Sequence, residues 1–175
     1  MTDQIIAVTV LGDDRPGIVA DVTGALVGLH GNLEDSTMTL LRGHFAMVLL
    51  VRTASSVESV EAALAPLGAD GSLVINARVL AESTLSQIGG GPSYALRVHG
   101  ADRPGIVAAI TGVVARNGAN IVDLGTRLGD GLYVLMAELQ LPSEASVVGL
   151  ETELQDTARA LGVDVHLSPI DDDLL

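Results

Sequence analysis

The chain has 175 residues, and 48% of them are hydrophobic, which is enough apolar material for a folded core. Charge is one-sided: 22 acidic residues face 9 basic ones, for a formal net charge of -13. So acidic a surface disfavours direct binding to nucleic acid or to anionic membranes. The absence of cysteine excludes disulfides, thiolate catalysis and cysteine-ligated metals.

The beginning of the chain lacks the basic and apolar regions of a signal peptide. No apolar stretch approaches the ~20 residues that a membrane-spanning helix needs. We therefore expect a cytoplasmic protein. With aromatic residues at only 2% of the chain, the core should be built from aliphatic side chains.

An internal repeat organises the chain. The sequence Asp-Arg-Pro-Gly-Ile-Val-Ala at 14–20 recurs unchanged at 102–108, an offset of 88. The same offset without gaps gives 16 identities between positions 7–51 and 95–139. We infer two copies of one module, at residues 1–80 and 93–175, the second with an acidic C-terminal end. Residues 81–92 form a glycine-rich linker between them.

Each copy begins with a strand, such as Ile5–Leu11, followed by a helix whose first residue is Pro16 or Pro104. Asp14 is placed to cap the first helix, and Gly31 and Gly118 are placed to end these helices. Glycines at 24 and 112 cost ~1 kcal/mol in mid-helix, so we expect close packing there.

The rest of each copy contains a hairpin, a helix and a final strand. Its turns are predicted at Arg42-Gly43 and at Gly129-Asp130-Gly131. The following helices are predicted over 57–67 and 145–161, and the last strands over 73–80 and 163–167. This βαββαβ order predicts an α+β fold of two tandem ferredoxin-like modules with antiparallel sheets.

The third strand of the first copy, 44–51, is apolar on both faces after its first residue. Helices cover only one face of such a sheet, so the other face should be polar in an isolated module. We expect that face to be covered by the sister module or by another chain.

The repeated strand–helix loop is the main candidate binding site. Backbone N–H groups at a helix start can bind a carboxylate, and the flanking Asp can receive an ammonium group. Capping and close packing alone explain the motif equally well. The arginines at 15 and 103 favour a ligand slightly, although an ion pair with Asp13 or Asp14 would also account for Arg15.

An asparagine begins the second strand of each copy, at 32 and 120, and we expect it beside the loop. Its amide could contact both ends of an amino acid, or the residue could be a left-handed one that closes the helix. Nothing indicates catalysis, because the four histidines are at non-equivalent positions without ligand spacing. We predict no metal and no cofactor.

The Asp-Arg-Pro-Gly-Ile-Val loop, the asparagine at each second-strand start and the βαββαβ order resemble the ACT domain, over about 5–80 and 93–170. The tandem pair is similar to the glycine cleavage system transcriptional repressor group. This resemblance implies amino-acid binding where two ACT units meet. Carried over by position, the implied ligand contacts are Gly12, Asp14, Arg15, Gly17, Ile18 and Asn32, and then Gly100, Asp102, Arg103, Gly105, Ile106 and Asn120.

The leading hypothesis is a regulatory amino-acid-binding protein without enzyme activity. Glycine and serine are the first effectors to consider, in a homodimer or larger assembly that signals through a partner protein. A ligand-free oligomerisation module is the alternative. An RNA-binding role is disfavoured by the charge, although Phe45 and Tyr133 occupy equivalent third-strand positions.

Overall fold

The computed structural model describes residues 3–81 and 91–170. The chain divides into two compact units, Met1–Gln87 and Ile88–Leu175. Each unit follows the predicted βαββαβ order and contains one four-stranded antiparallel sheet. Most of the predicted linker and the acidic C-terminal end lie outside the described residues.

In the first unit the sheet order is β2-β3-β1-β4. Its elements are β1 (Gln4–Asp13), α1 (Ile18–Val27), β2 (Asn32–Leu41), β3 (His44–Thr53), α2 (Val57–Leu64), a 3-10 turn (Ala65–Gly68) and β4 (Leu73–Val79).

The second unit repeats this arrangement with the order β6-β7-β5-β8. Its elements are β5 (Ser93–Ala101), α3 (Ile106–Arg116), β6 (Asn120–Gly129), β7 (Leu132–Gln140), α4 (Val147–Leu161) and β8 (Val163–Pro169).

The core of each unit lies between the sheet and its two helices. On β1 the alternate residues Ile6, Val8 and Val10 belong to this core, as expected for a strand with one face against helices, and Ile5 and Ala7 are buried as well. The α1 residues packed against them recur at helical spacing: Ile18, Val22 and Leu26. In the second unit Ile106, Ile110, Val113 and Val114 of α3 do the same. The expected aliphatic core is present.

The starts of the first helices differ from the prediction. Gly17 and Gly105 adopt left-handed conformations with φ of 93°, so α1 and α3 begin two residues later than predicted, at Ile18 and Ile106, and the preceding prolines lie in the turn. Gly17 and Gly105 occupy the N-cap positions, and no described side chain caps either helix, so the cap assigned to Asp14 is wrong.

Two helix ends also differ. His30 rather than Gly31 is the left-handed residue after α1, and Gly31 N–H bonds to Leu26 O at 3.0 Å, as in a Schellman motif. The helix predicted over 57–67 keeps α geometry only to Leu64, because Pro66 has no N–H and disfavours helical geometry in the residue before it. In the second unit Gly118 is left-handed after α3, as expected for the residue that ends this helix, and Gly162 is left-handed at the end of α4.

Both hairpins turn where predicted. Arg42 and Gly43 have φ of 51° and 89°, and Asp130 and Gly131 have φ of 49° and 78°. Two consecutive positive φ values characterise the type I′ turn, which suits the twist of the flanking strands. Each turn brings the beginning of the third strand to the end of the sheet where the strand–helix loop lies.

Exposed apolar side chains remain on the sheet of the first unit. Leu11, Val48 and Val74 lie on the face away from the helices, and β2 is exposed along its whole length. What covers this face stays a prediction. None of the described helices has the length and apolar character that a bilayer crossing requires.

Candidate functional site

The two strand–helix loops have almost the same backbone. Gly17 has φ 93° and ψ -6°, and Gly105 has φ 93° and ψ -3°. Within residues 3–81 and 91–170, no side chain accepts a hydrogen bond from the N–H groups at the start of α1 or α3. Such groups form a local positive end that suits a carboxylate. Ile18 and Ile106 are buried in the core, so they can offer a ligand only backbone atoms.

Gly12 and Gly100 have a structural role that explains their presence in both copies. A Cβ atom on Gly12 would stand 2.0 Å from the carbonyl oxygen of Ser72, which precedes β4. On Gly100 it would stand 2.8 Å from Val163 Cγ1. The close approach of the fourth strand therefore requires glycine at both positions.

In the first unit the arginine of the loop forms an ion pair with an acidic side chain. Arg15 Nη1 donates to Asp21 Oδ2 at 2.8 Å, and both side chains are 43% exposed. Its partner is thus neither Asp13 nor Asp14. The side chain of Asp13 lies 3.8 Å from His44 Nδ1, and the N–H of Asp14 donates to Gly43 O at 3.1 Å.

A further carboxylate lies near this loop. Asp70 accepts hydrogen bonds from the hydroxyl of Ser72 at 2.6 Å and from its N–H at 2.9 Å. These two bonds, with the Arg15 charge as a smaller contribution, hold the pKa of Asp70 below its usual value. Asp70 therefore remains ionised and adds negative charge on this side of the first unit.

In the second unit the loop opens into a cavity of about 310 Å³. It is lined by Asp102, Arg103 and Tyr133 and by the first turn of α3. Neither Asp102 nor Arg103 has an ion pair or side-chain hydrogen bond within residues 3–81 and 91–170. The cavity thus presents one available carboxylate, one available guanidinium and a phenol.

The asparagines do not lie where we expected. Asn32 is opposite Arg52 on β3, and Arg52 is in turn opposite Ile5 on β1. Gly12 is seven residues further along β1, about 23 Å away at 3.3 Å per residue. The expectation that the asparagine lies beside the loop of its own unit is therefore wrong, because α1 carries the chain back along β1 before β2 begins.

The second unit repeats this separation. Asn120 on β6 is opposite Gln140 on β7, and Gln140 is opposite Ser93 at the beginning of β5. Gly100, near the other end of β5, is opposite Tyr133. Neither asparagine has a positive φ, so the alternative of a left-handed residue closing the helix is wrong as well. Each asparagine lies at the end of the sheet away from the loop in its own unit.

The first unit has a cavity of its own around Asn32, of about 550 Å³. Its lining includes four hydroxyl groups, those of Thr53, Ser55, Ser56 and Ser59, together with Asp3, His30 and Arg52. Several are engaged: Thr53 Oγ1 donates to Leu29 O at 3.2 Å, and Ser56 Oγ accepts from Ser59 N–H at 3.3 Å at the start of α2. This cavity was not anticipated from the sequence.

Sequence reasoning also missed the hairpin side of the loop. The sequence identifies Tyr133 only as the equivalent of Phe45, because the strand registers that place both residues at the loop end are not encoded by any local motif. Comparison of the two copies at the offset of 88 does identify one difference within the loop, Asp13 against Ala101, which predicts that the two sites differ or that only one of them binds. No group of three His, Asp or Glu side chains in the described part of the chain is placed to hold a metal ion.

The sheet order, the paired helices and the glycine-containing loops define a chain of two ACT domains. The sequence profile of the ACT domain family matches residues 4–77 and again 95–168, and the chain belongs to this family.

Among its relatives, the glycine cleavage system transcriptional repressor of Escherichia coli is 29% identical over 158 residues, which cover 86% of this chain and 82% of that protein. A UPF0237 protein of Methanopyrus kandleri is 54% identical over 44 residues, 25% of this chain, but the match spans only 49% of that relative's length. The crystal structure of an unknown protein from Galdieria sulphuraria superposes with a TM-score of 0.83 at 32% identity, covering 97% of this chain and all of that one.

Proposed function

We propose that this chain is a cytoplasmic regulatory protein that binds a small amino acid and signals through a partner protein, without catalysing a reaction. The relationship to the glycine cleavage system transcriptional repressor supports a role in regulating glycine or related amino-acid metabolism. Because the chain carries a net charge of -13, an effect on transcription would run through a partner and not through direct contact with DNA.

The observation that carries this proposal is the uncapped helix start beside an aspartate and an arginine, present in both units. A carboxylate suits the first-turn N–H groups and the guanidinium. An ammonium group suits the aspartate carboxylate. A molecule that carries both groups a few ångströms apart is an amino acid, and glycine and serine are the first to consider.

The positions of the asparagines support a site shared between ACT units. Within one unit, the loop and the asparagine lie at opposite ends of the sheet. If the exposed edge strand β2 pairs antiparallel with the edge strand of a further ACT unit, the beginning of one strand comes to the loop end of the other. A homodimer or larger assembly would therefore complete the site.

A panel of amino acids in a thermal-shift assay tests the proposal, with glycine and serine first. A ligand present at ~100 times its dissociation constant should stabilise the folded chain by ~2.7 kcal/mol. Glycinamide, which lacks the carboxylate, and glycolate, which lacks the ammonium group, are the matched controls and should give much smaller shifts. If no amino acid raises the melting temperature, amino-acid binding is ruled out.

One observation favours a second candidate, a structural module that assembles without an effector. The edge strand β2 exposes Leu33, Met38, Leu40 and Leu41, which is the kind of strand that pairs with another chain. Size-exclusion chromatography with and without glycine or serine distinguishes the sensor from the structural module. Each amino acid is added at about 10⁻² M, which exceeds ordinary dissociation constants. A sensor changes its assembly or partner binding with the amino acid, whereas a structural module does not.

A further inference from the structure

We propose that the two strand–helix loops are not equivalent, and that the amino-acid carboxylate binds at the second unit, in the cavity beside Arg103, and not at the loop of Arg15. This inference rests on the proposed function. It adds a statement about which copy of the duplicated motif is the working site and which residues make it so.

The backbone does not distinguish the two loops. Gly17 and Gly105 agree in φ and differ by only 3° in ψ, and both following helices lack a side-chain cap. First-turn N–H groups are therefore presented in the same way by both units. A difference in binding must come from the side chains around them.

Charge is the first difference. At the offset of 88, Asp13 is replaced by Ala101 and Asp21 by Ala109. The first loop thus combines Asp13, Asp14 and Asp21 with Arg15, whereas the second combines Asp102 with Arg103. The first set is net negative and the second is neutral, and Asp70 adds a further carboxylate on the side of Arg15. The hairpin turn beside each loop offsets this difference in net charge, because Arg42 is replaced by Asp130 at the same offset. The two sites therefore differ in where their charges lie: an acid stands beside the arginine at the first loop, and alanine takes its place at the second.

The state of the arginine is the second difference. Arg15 already donates to Asp21 at 2.8 Å, so a ligand carboxylate must displace that acid to use the guanidinium. Alanine at position 109 offers no such partner to Arg103. The guanidinium of Arg103 instead lies against Gly162, where it has no hydrogen bond or ion pair within the described ranges. Its donors remain available to the cavity.

The third-strand aromatic residue is the third difference, and it is independent of charge. Phe45 is 2% exposed and belongs to the core of the first unit. Tyr133, at the equivalent register position opposite Gly100, is partly exposed and lines the 310 Å³ cavity. A phenol there can donate to or accept from a small zwitterion, which Phe45 has no group to do.

Isothermal titration of the full chain with glycine, and separately with L-serine, tests the inference through a matched pair of variants. Arg103→Gln should weaken binding about 10- to 100-fold, as expected for loss of a hydrogen bond between charged groups. Arg15→Gln should change the dissociation constant less than about twofold, because Arg15 is already paired. Both arginines are on the surface, and circular dichroism checks that both variants fold.

A reciprocal pair tests the cause. Ala109→Asp installs at the second loop the acid that pairs with Arg15 at the first, and it should reproduce the loss seen with Arg103→Gln. Asp21→Ala, its counterpart in the first unit, should leave the affinity of the existing site unchanged. Tyr133→Phe, which gives the second unit the residue of the first, should weaken binding several-fold.

The outcomes separate this inference from the proposed function. Suppose that the wild-type chain binds an amino acid. If Arg15→Gln then abolishes binding while Arg103→Gln does not, or if both variants lose binding equally, the proposed inequivalence of the loops is wrong and the sensor function stands. If the wild-type chain gives no binding heat and no thermal shift with any amino acid, the proposed function falls and the inference falls with it.

Discussion

The guanidinium of Arg103 lies against Gly162, close enough that a Cβ atom on Gly162 would stand 3.2 Å from Arg103 Nη1. The same glycine ends α4 in a left-handed conformation with φ of 67°. One residue therefore ends a helix and leaves room for the arginine that lines the cavity of the second unit.

Gly162→Ala should both destabilise the chain and weaken amino-acid binding. The left-handed conformation costs an L-residue about 1–2 kcal/mol, and the new methyl group pushes the guanidinium away. The control is Gly71→Ala, which has φ of 80° but no neighbour within 4 Å of an added Cβ. Thermal melting should show a loss for both variants, and calorimetry should show weaker binding only for Gly162→Ala. Equal binding by both would contradict the proposed contact.

Gly12→Ala should be more damaging to folding than Gly100→Ala. The added Cβ at Gly12 meets a backbone oxygen at 2.0 Å, whereas the one at Gly100 meets Val163 at 2.8 Å or more. Overpacking of this kind costs about 1–3 kcal/mol or more, and a side chain yields more easily than backbone. Urea denaturation measures both. A Gly12→Ala variant as stable as wild type would mean that β4 does not approach β1 as closely as described.

The sequence predicts the strand–helix loop correctly but not the position of the asparagine relative to that loop. Local signals sufficed for the element order, both hairpin turns and the duplicated loop, because each depends on neighbouring residues and backbone chemistry. The relative position of Asn32 and Gly12 depends on strand register and on the direction of α1, which no local motif encodes. The state of Arg15 likewise depends on Asp21, six residues away across the helix start.

Gly24→Ala should stabilise the chain by up to about 1 kcal/mol, the difference in helix propensity between glycine and alanine. We expected close packing at this position, but among the described residues an added Cβ at Gly24 would meet no atom within 4 Å apart from its chain neighbours and the backbone of α1, and at Gly112 the nearest is Arg116 Nη1 at 3.6 Å. Thermal melting at two protein concentrations is the measurement. A loss of stability would show that another molecule packs on this face of α1.

Added salt should raise the melting temperature. With a net charge of -13 the folded chain repels itself, and the Debye length falls from about 30 Å at 0.01 M salt to about 8 Å at 0.15 M. The ion pairs Arg15–Asp21, Arg116–Glu153 and Arg159–Asp156, which salt would weaken, are exposed, so each contributes little. Melting curves in sodium chloride, with choline chloride as a control for specific cation binding, should rise together. A falling melting temperature would show that the ion pairs dominate.

Nuclear magnetic resonance of the ¹⁵N-labelled chain, titrated with glycine and with serine, tests amino-acid binding at the helix start most directly. The account predicts concentration-dependent shifts of the amide signals of Gly105, Ile106 and Val107, with smaller effects at Gly17 and Ile18. Unchanged amide signals at both helix starts, at a glycine concentration that saturates any binding detected by calorimetry, would contradict it.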